Sequence, residues 1–404
     1  MKSILMYPLS LLFLFFQIGV MNAEELLPYD KDNKSICVKP EDFEGRNISE
    51  KISNALDFLK KCNGGIILFK DNPLYLISES ICLPSNTKMI IDGCKIKLAD
   101  HVFDNIIRSD NFEIDKNNPN GYVKKLLPAQ NIRIVGLNGA TVEGADFFYE
   151  GINPKTGIKE QWLGDFWGWR NFSILLSYVD GFEISGLKVT KTHSWAIVVT
   201  NGCKNGHIHT IDFKTTVKNG DGIDIIQGGS NILIENITGE TSDDTIVFGA
   251  FDESRWSNEK YIFPLLPVRY SDYSYGADMH DIVCRNVNTS GNHHVLIILP
   301  SRTRIYNIFC SNISDNPKGG KRKIIRIYGN GQYGQGFKAG NMYNIYMNDI
   351  RSYKADIALE LLAPVYDSHF NKIVQLNYTG LDIKMDSTCI NTNFTNIHKT
   401  QSVK

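Results

Sequence analysis

The 404-residue sequence predicts an all-β chain wound as a parallel β-helix, and three observations carry that expectation. First, one unit recurs: an Asn or Asp, then alternating apolar residues, then Asn, Thr or Ser. It is read in NIRIVGLNGATVEG, GFEISGLKVTKT, NGHIHTIDFKTT, SNILIENITGET, MHDIVCRNVNTS, IYNIFCSNISD, MYNIYMNDIRS and FNKIVQLNYTG. Second, the interval is twenty-odd residues, the mark of a solenoid whose units bury their apolar face only by stacking. Third, the apolar residues are β-branched and alternate with period two, which predicts strands rather than helices. A sandwich of hairpins would need Asn-Gly or Asp-Gly turns between neighbouring strands. Here the same unit returns instead of its mirror image.

Taken from the amino end, residues 1–23 hold an early lysine, the apolar core ILMYPLSLLFLFFQIGV and a small residue before EELLPYD. This reads as a secretory signal cleaved near Ala23, so residues 24–404 are expected to form one β-helix domain that is secreted or periplasmic. Pro8, Ser10 and Gln17 make the segment a poor membrane anchor, and no other apolar run is long enough to span a bilayer. Next, NISEKISNALDFLKKCNGGIILF opens on an Asn or Ser cap, places Ile52, Ala55, Leu56 and Leu59 at helical spacing, and stops at Gly64-Gly65. One helix then covers the open end of the solenoid and prevents end-to-end association, so a monomer is expected.

At 42% hydrophobic the chain can bury a large core, and its net charge of -1, with no basic stripe among aromatics, argues against nucleic-acid binding. The eight cysteines (Cys37, Cys62, Cys82, Cys94, Cys203, Cys284, Cys310 and Cys389) lack the paired spacing of a zinc site. Disulfides and buried thiols both remain open, and neither a metal nor a cofactor is expected.

The chemistry concentrates in VKNGDGIDIIQGGSNILIENITGETSDDTIVFGA, where two acidic turns recur about one coil apart and carry Asp221, Asp224, Asp243 and Asp244. With ISNALDFLKKCNGGIILF and NIRIVGLNGATVEG before it, and SGNHH and IRIYG after it, the layout resembles glycoside hydrolase family 28, the polygalacturonases on a right-handed parallel β-helix. The resemblance covers nearly all of the mature chain; the early motifs specify fold, while NGDGID and SDDTI carry the functional signal. It implies inverting hydrolysis of a pectic poly- or oligosaccharide, with Asp221 and Asp244 activating water and Asp243 as general acid. Stacked rungs lie about 4.7–4.9 Å apart, so Asp221 and Asp243, one coil apart, can share a sugar-sized site. Crowded carboxylates cannot all ionise easily, which leaves one protonated as the acid.

An isolated acidic turn would be an Asn/Asp ladder with no chemistry, so the doubling at Asp243-Asp244 matters. Strict alternation from Ile223 and Ile246 would turn Asp221 and Asp244 inward, and a bend eased by Gly222 is required. Asp224 points outward and lines the cleft as a binding residue. The family's GHG is GNHH here, so the histidine is His293, with His294 as the alternative. The family's RIK is RIY, Arg326 to Tyr328, which keeps a guanidinium for a substrate carboxylate and removes the second cation. Galacturonate held by Arg326 alone, or a neutral sugar such as rhamnose, fits that pattern.

Two insertions, holding Trp162, Trp167 and Trp169, and Trp256, Tyr261, Tyr270, Tyr273 and Tyr275, offer aromatic faces for sugars or pack onto the coils. Walls at one end of the groove would make the action exo. Asn47, Asn171, Asn236, Asn312, Asn377 and Asn393 begin Asn-x-Ser/Thr triplets, glycosylation acceptors only in a eukaryotic secretory route. Two other classes compete with the hydrolase: a calcium-dependent lyase with a basic residue such as Lys218 near the aspartates, and a non-catalytic carbohydrate-binding β-helix.

Overall fold

The computed structural model describes residues 36–102, 104–114, 123–146, 149–152, 159–162, 172–250, 278–301, 303–329 and 337–399. The expected signal segment and Trp167, Trp169, Asn171, Trp256, Tyr261, Tyr270, Tyr273 and Tyr275 lie outside them. The chain is a right-handed parallel β-helix. It begins with helix α1 (Ile48–Lys61), whose amino end is capped by the Asn47 side chain accepting from the Glu50 N–H. Ile52, Ala55, Leu56 and Leu59 face the first coil and are buried, as the helical spacing requires.

Among the described residues, the coils build a 19-stranded and a ten-stranded sheet, with two short antiparallel hairpins beside them. The ten-stranded sheet runs in chain order: β1 (Ile81–Leu83), β2 (Ile107–Ser109), β3 (Ile174–Ser177), β4 (Ile197–Thr200), β5 (Ile223–Ile226), β6 (Ile246–Gly249), β7 (His294–Leu299), β8 (Lys323–Tyr328), β9 (Ile357–Leu362) and β10 (Leu381–Met385). Each strand pairs in parallel with the next, so residues at equal places in successive coils form straight columns.

The repeat explains itself at the corners. Asn131, Asn205, Asn231, Asp281, Asn307 and Asn344 all have positive φ, the left-handed conformation that Asn and Asp tolerate best. Their side chains then join coil to coil, as in Asn231 Nδ2 to Asn205 Oδ1 at 2.6 Å and Asn307 Nδ2 to Asp281 Oδ1 at 2.8 Å. Inside, the apolar half of each unit stacks on its equivalent. Ile134, Ile184, Ile208, Ile234, Cys284, Cys310, Met347 and Phe370 form one register column and are all buried. Every cysteine is a free thiol, which closes the disulfide question for this structure.

The ten-stranded sheet is apolar on its inner face and carries a mixed outer face with an apolar patch. Ile223, Ile225, Ile246, Phe248, Leu296 and Ile298 point into the main core, while Leu175, Val198, Val247 and Ile297 form a second cluster on the outer face with Phe172 and Trp195.

Candidate active site

The turns that lead into β5, β6, β7 and β8 place the site. Hydrogen bonds between coils continue through them: Ala196 N–H to the Asp221 carbonyl at 2.9 Å, Gly222 N–H to the Asp244 carbonyl at 2.9 Å, and Thr245 N–H to the His294 carbonyl at 3.0 Å. With His294 paired to Lys323, one column therefore reads Asp221, Asp244, His294, Lys323. One residue earlier, the neighbouring column brings Asp243 beside His293. The residue level with Asp221 on the next coil is Asp244, with Asp243 one place earlier, because β5 and β6 align Ile223 with Ile246.

Both histidines are engaged, so the choice between them dissolves. His294 Nδ1 lies 2.6 Å from Asp244 Oδ1, and the His294 N–H donates to the same oxygen at 3.1 Å. His293 Nδ1 stands 3.2 Å from Asp243 Oδ1. The two imidazoles cross at 85°. The pairs differ in access: the Asp243 and His293 side chains are 18% and 39% exposed, against 13% and 5% for Asp244 and His294. The outer pair meets solvent, and the inner pair supports it.

Local backbone makes this arrangement possible. The chain bends at Gly222, as expected, but the reason is space rather than left-handed geometry: a Cβ there would meet the Thr245 carbonyl at 2.5 Å and the Phe213 ring at 3.1 Å. Gly291, at φ 109°, passes so close to the Thr241 carbonyl that a Cβ would sit 1.9 Å from it. His293 itself has φ 54°. Beneath the turns, Thr241, Thr245 and Thr289 share hydroxyl hydrogen bonds at 2.9 and 2.8 Å, and Lys321 donates to Thr241 Oγ1 at 2.6 Å.

The charges set the proton chemistry. Burial pushes the Asp244 carboxyl up, but the His294 charge and hydrogen bond, with Lys321 and His293, outweigh it and hold the group below the usual carboxylate value. Burial lowers His293 against the pull of Asp244, with His294, Arg322 and Lys321 helping to lower it. Burial also brings Lys321 down to about 8, opposed by Asp244, Asp243, Asp221 and Glu240. Asp244 is thus held toward its ionised form, with His294 as its hydrogen-bond partner.

Asp244, His293 and His294 also offer ligand atoms within 4.8 Å of one another, a set of the kind that holds a metal ion. The ammonium of Lys321 already supplies positive charge to Asp244, which makes a divalent cation there unfavourable. The donor set suits proton handling better than ligation.

The other expected residues lie apart. Asp224 is on the outer face of β5, aligned between Val198 and Val247, and only 1% exposed, so it belongs to the sheet's outer layer rather than to an open rim. Arg326 follows in the same column after Ile297, two coils or about 10 Å beyond the Asp244 rung. Its guanidinium lies 4.0 Å over the Tyr328 ring and its Nε 2.8 Å from Glu360 Oε2, so this cation is already partnered. Glu360 aligns with Arg326 one coil on, and Lys384 one coil further. Sequence reasoning missed Glu360, Lys321 and the threonines; equal offsets between successive units were the available signal.

This architecture covers most of three solved structures. An exopolygalacturonase from Thermotoga maritima aligns with TM-score 0.57 and 16% identity, over 92% of this chain and 95% of that one. An endo-xylogalacturonan hydrolase from Aspergillus tubingensis gives 0.59 and 14%, over 91% and 93%. A polygalacturonase from Erwinia carotovora ssp. carotovora gives 0.56 and 14%, over 92% and 100%. The chain has the polygalacturonase fold. No family model and no curated protein matches the sequence itself. The coil register turns the doubled Asp and the doubled His of this chain into two parallel Asp–His pairs.

Proposed function

We propose that the protein is a secreted glycoside hydrolase acting on pectin-type poly- or oligosaccharides with inversion. The observation that carries this reading is the stack of Asp221, Asp244 and His294 on consecutive coils with the Asp243–His293 pair beside it. Such an arrangement divides acid from base by environment. Asp244, held ionised, and Asp221 on the adjoining rung are the groups that take a proton from water. Asp243 is more accessible, and a neutral His293 can accept its O–H hydrogen bond without forcing the carboxyl to ionise, so the proton for the leaving oxygen resides on that pair. The secretory reading of residues 1–23 and exo action are parts of the same proposal.

A lyase would need an accessible base beside the aspartates. Lys321 does not serve, since its ammonium points inward and is only 3% exposed as a residue. The deciding experiment is a panel of acidic and neutral pectic oligosaccharides incubated with the protein and with Asp243→Asn. New reducing ends from the wild type, reduced by roughly 10²–10⁴-fold in the variant, are expected. An unsaturated ultraviolet-absorbing product would assign a lyase, and binding with no product would assign a carbohydrate-binding β-helix.

A further inference from the structure

Lys321 lies two residues before β8 in GGKRKIIRIYG, where three successive cations read as a solvated turn. The structure separates them. Lys321 is 3% exposed, and its ammonium donates to Thr241 Oγ1 at 2.6 Å, the Asp243 carbonyl at 2.8 Å and the Asn292 carbonyl at 2.7 Å. Those bonds use all three ammonium protons. Asn292 belongs to the turn one coil back, and Asp243 and Thr241 to the coil before that. A single side chain therefore ties three successive turns. Glycine makes the approach possible: Gly320, at φ 96°, passes so near the Gly291 carbonyl that a Cβ would sit 2.2 Å from it.

No carboxylate takes these protons, so Lys321 is not a simple ion pair; its charge acts across space on the groups around it. Asp221, Asp243, Asp244 and Glu240 face it with negative charge, and His293, His294 and Arg322 complete the surroundings of the ladder.

We propose that Lys321 is the positioning residue of the acidic ladder, fixing the Asp243 and Asn292 turns through their main-chain carbonyls and setting a buried positive charge beneath Asp221, Asp243 and Asp244. The catalytic consequence rests on the hydrolase reading; the charge coupling does not. Burial holds Lys321 near 8, so its loss of a proton above that pH withdraws the charge and raises the Asp244 carboxyl.

The test uses the full chain as Lys321→Met, which removes the charge at similar length, and Lys321→Arg, which keeps it. NMR titration of the His293 imidazole reads the coupling without any substrate. In the Met variant its pKa should rise, and in the Arg variant it should stay at the wild-type value. No rise in the Met variant overturns the proposal. If that variant does not fold, titration of Lys321 in the wild type through 13C-labelled lysine decides: an ordinary lysine midpoint overturns the proposal, and one near 8 supports it. Where the wild type releases sugar, the acidic limb of kcat/KM should move to higher pH in Lys321→Met and return in Lys321→Arg. An unmoved limb, with only a lowered Tm, would make Lys321 a structural tie and overturn its role. Absence of sugar release by the wild type would instead defeat the hydrolase reading and leave the imidazole titration standing.

Discussion

Replacing Glu360 with Gln tests how the cationic end of the groove is balanced. Glu360 is 2% exposed; its Oε2 lies 2.8 Å from Arg326 Nε and 3.5 Å from Lys323 Nζ, and its Oε1 3.3 Å from Lys384 Nζ. At an effective dielectric of about 20 these separations correspond to gross attractions of roughly 6, 5 and 5 kcal/mol, most of which desolvation of the carboxylate cancels. Breaking a buried pair costs about 3–5 kcal/mol net. The three cations keep 22, 17 and 42% of their side-chain surface, so they can turn partly to water. The expected loss is therefore about 3 kcal/mol, at the low end of that range. Arg326 Nε and Glu360 Oε2 approach closely without hydrogen-bond alignment, so attraction rather than geometry holds the guanidinium back from the groove. Released from Glu360, it should bind a substrate carboxylate with a charge-assisted bond worth about 1.5–3 kcal/mol, lowering KM for uronate oligosaccharides roughly tenfold or more. KM for neutral ones should stay the same. Equilibrium urea denaturation gives the first quantity and steady-state kinetics the second. A Gln variant as stable as the wild type, or equal KM changes for acidic and neutral substrates, would refute the reasoning.

The anomer first formed should be inverted relative to the bond cleaved, followed by NMR before mutarotation; a glycosyl ester trapped on Asp221, Asp243 or Asp244 would contradict the site assignment. Tyr328→Ala should change binding of acidic substrates less than Glu360→Gln does, since it removes only the ring 4.0 Å below the guanidinium, a contact worth about 0.5–2 kcal/mol. Glu183 provides an acid-stability test on the opposite side of the coil. Burial would raise its carboxyl, but His209, Ser185 and Arg133 bring it down to about 2. A depressed folded pKa stabilises above the unfolded value of 4.5, by about 3 kcal/mol, and that share is lost as pH falls towards 2. The stability gap between wild type and Glu183→Gln should thus shrink between pH 7 and pH 3; a constant gap would show that the carboxylate charge contributes nothing.

The fold was legible because a solenoid writes its geometry into local sequence. In six of the units the opening Asn or Asp (Asn131, Asn205, Asn231, Asp281, Asn307 and Asn344) occupies a left-handed corner, and alternating apolar residues stack on their counterparts in the next coil. The helix over the open end was equally plain, since a cap at Asn47 and the spacing of Ile52, Ala55, Leu56 and Leu59 are local facts. What the repeat does not disclose is the outer layer. Val198, Val247 and Ile297 read as ordinary strand residues, and only the assembled sheet shows that they form an apolar patch on its outer face.

The site was half legible for a related reason. Doubled residues at matching places in consecutive coils become parallel columns, so Asp243-Asp244 and His293-His294 had to meet, but pairing each Asp with its His requires the register to within one residue. Counting from Asp221 to Asp243 misses that register by one, and the ladder through the Asp244 carbonyl settles it. Lys321 and Glu360 were hidden more deeply because their sequence neighbours suggest the opposite environment: a lysine among cations suggests solvent, and Glu360 suggests an exposed face. Burial of each is stable only because opposite charge on other coils surrounds it, Asp221, Asp243 and Asp244 around Lys321, and Lys323, Arg326 and Lys384 around Glu360. The two form a reciprocal pattern along the β-helix, a cation beneath carboxylates and then a carboxylate among cations. The alternation leaves each buried charge compensated by opposite charge on neighbouring coils.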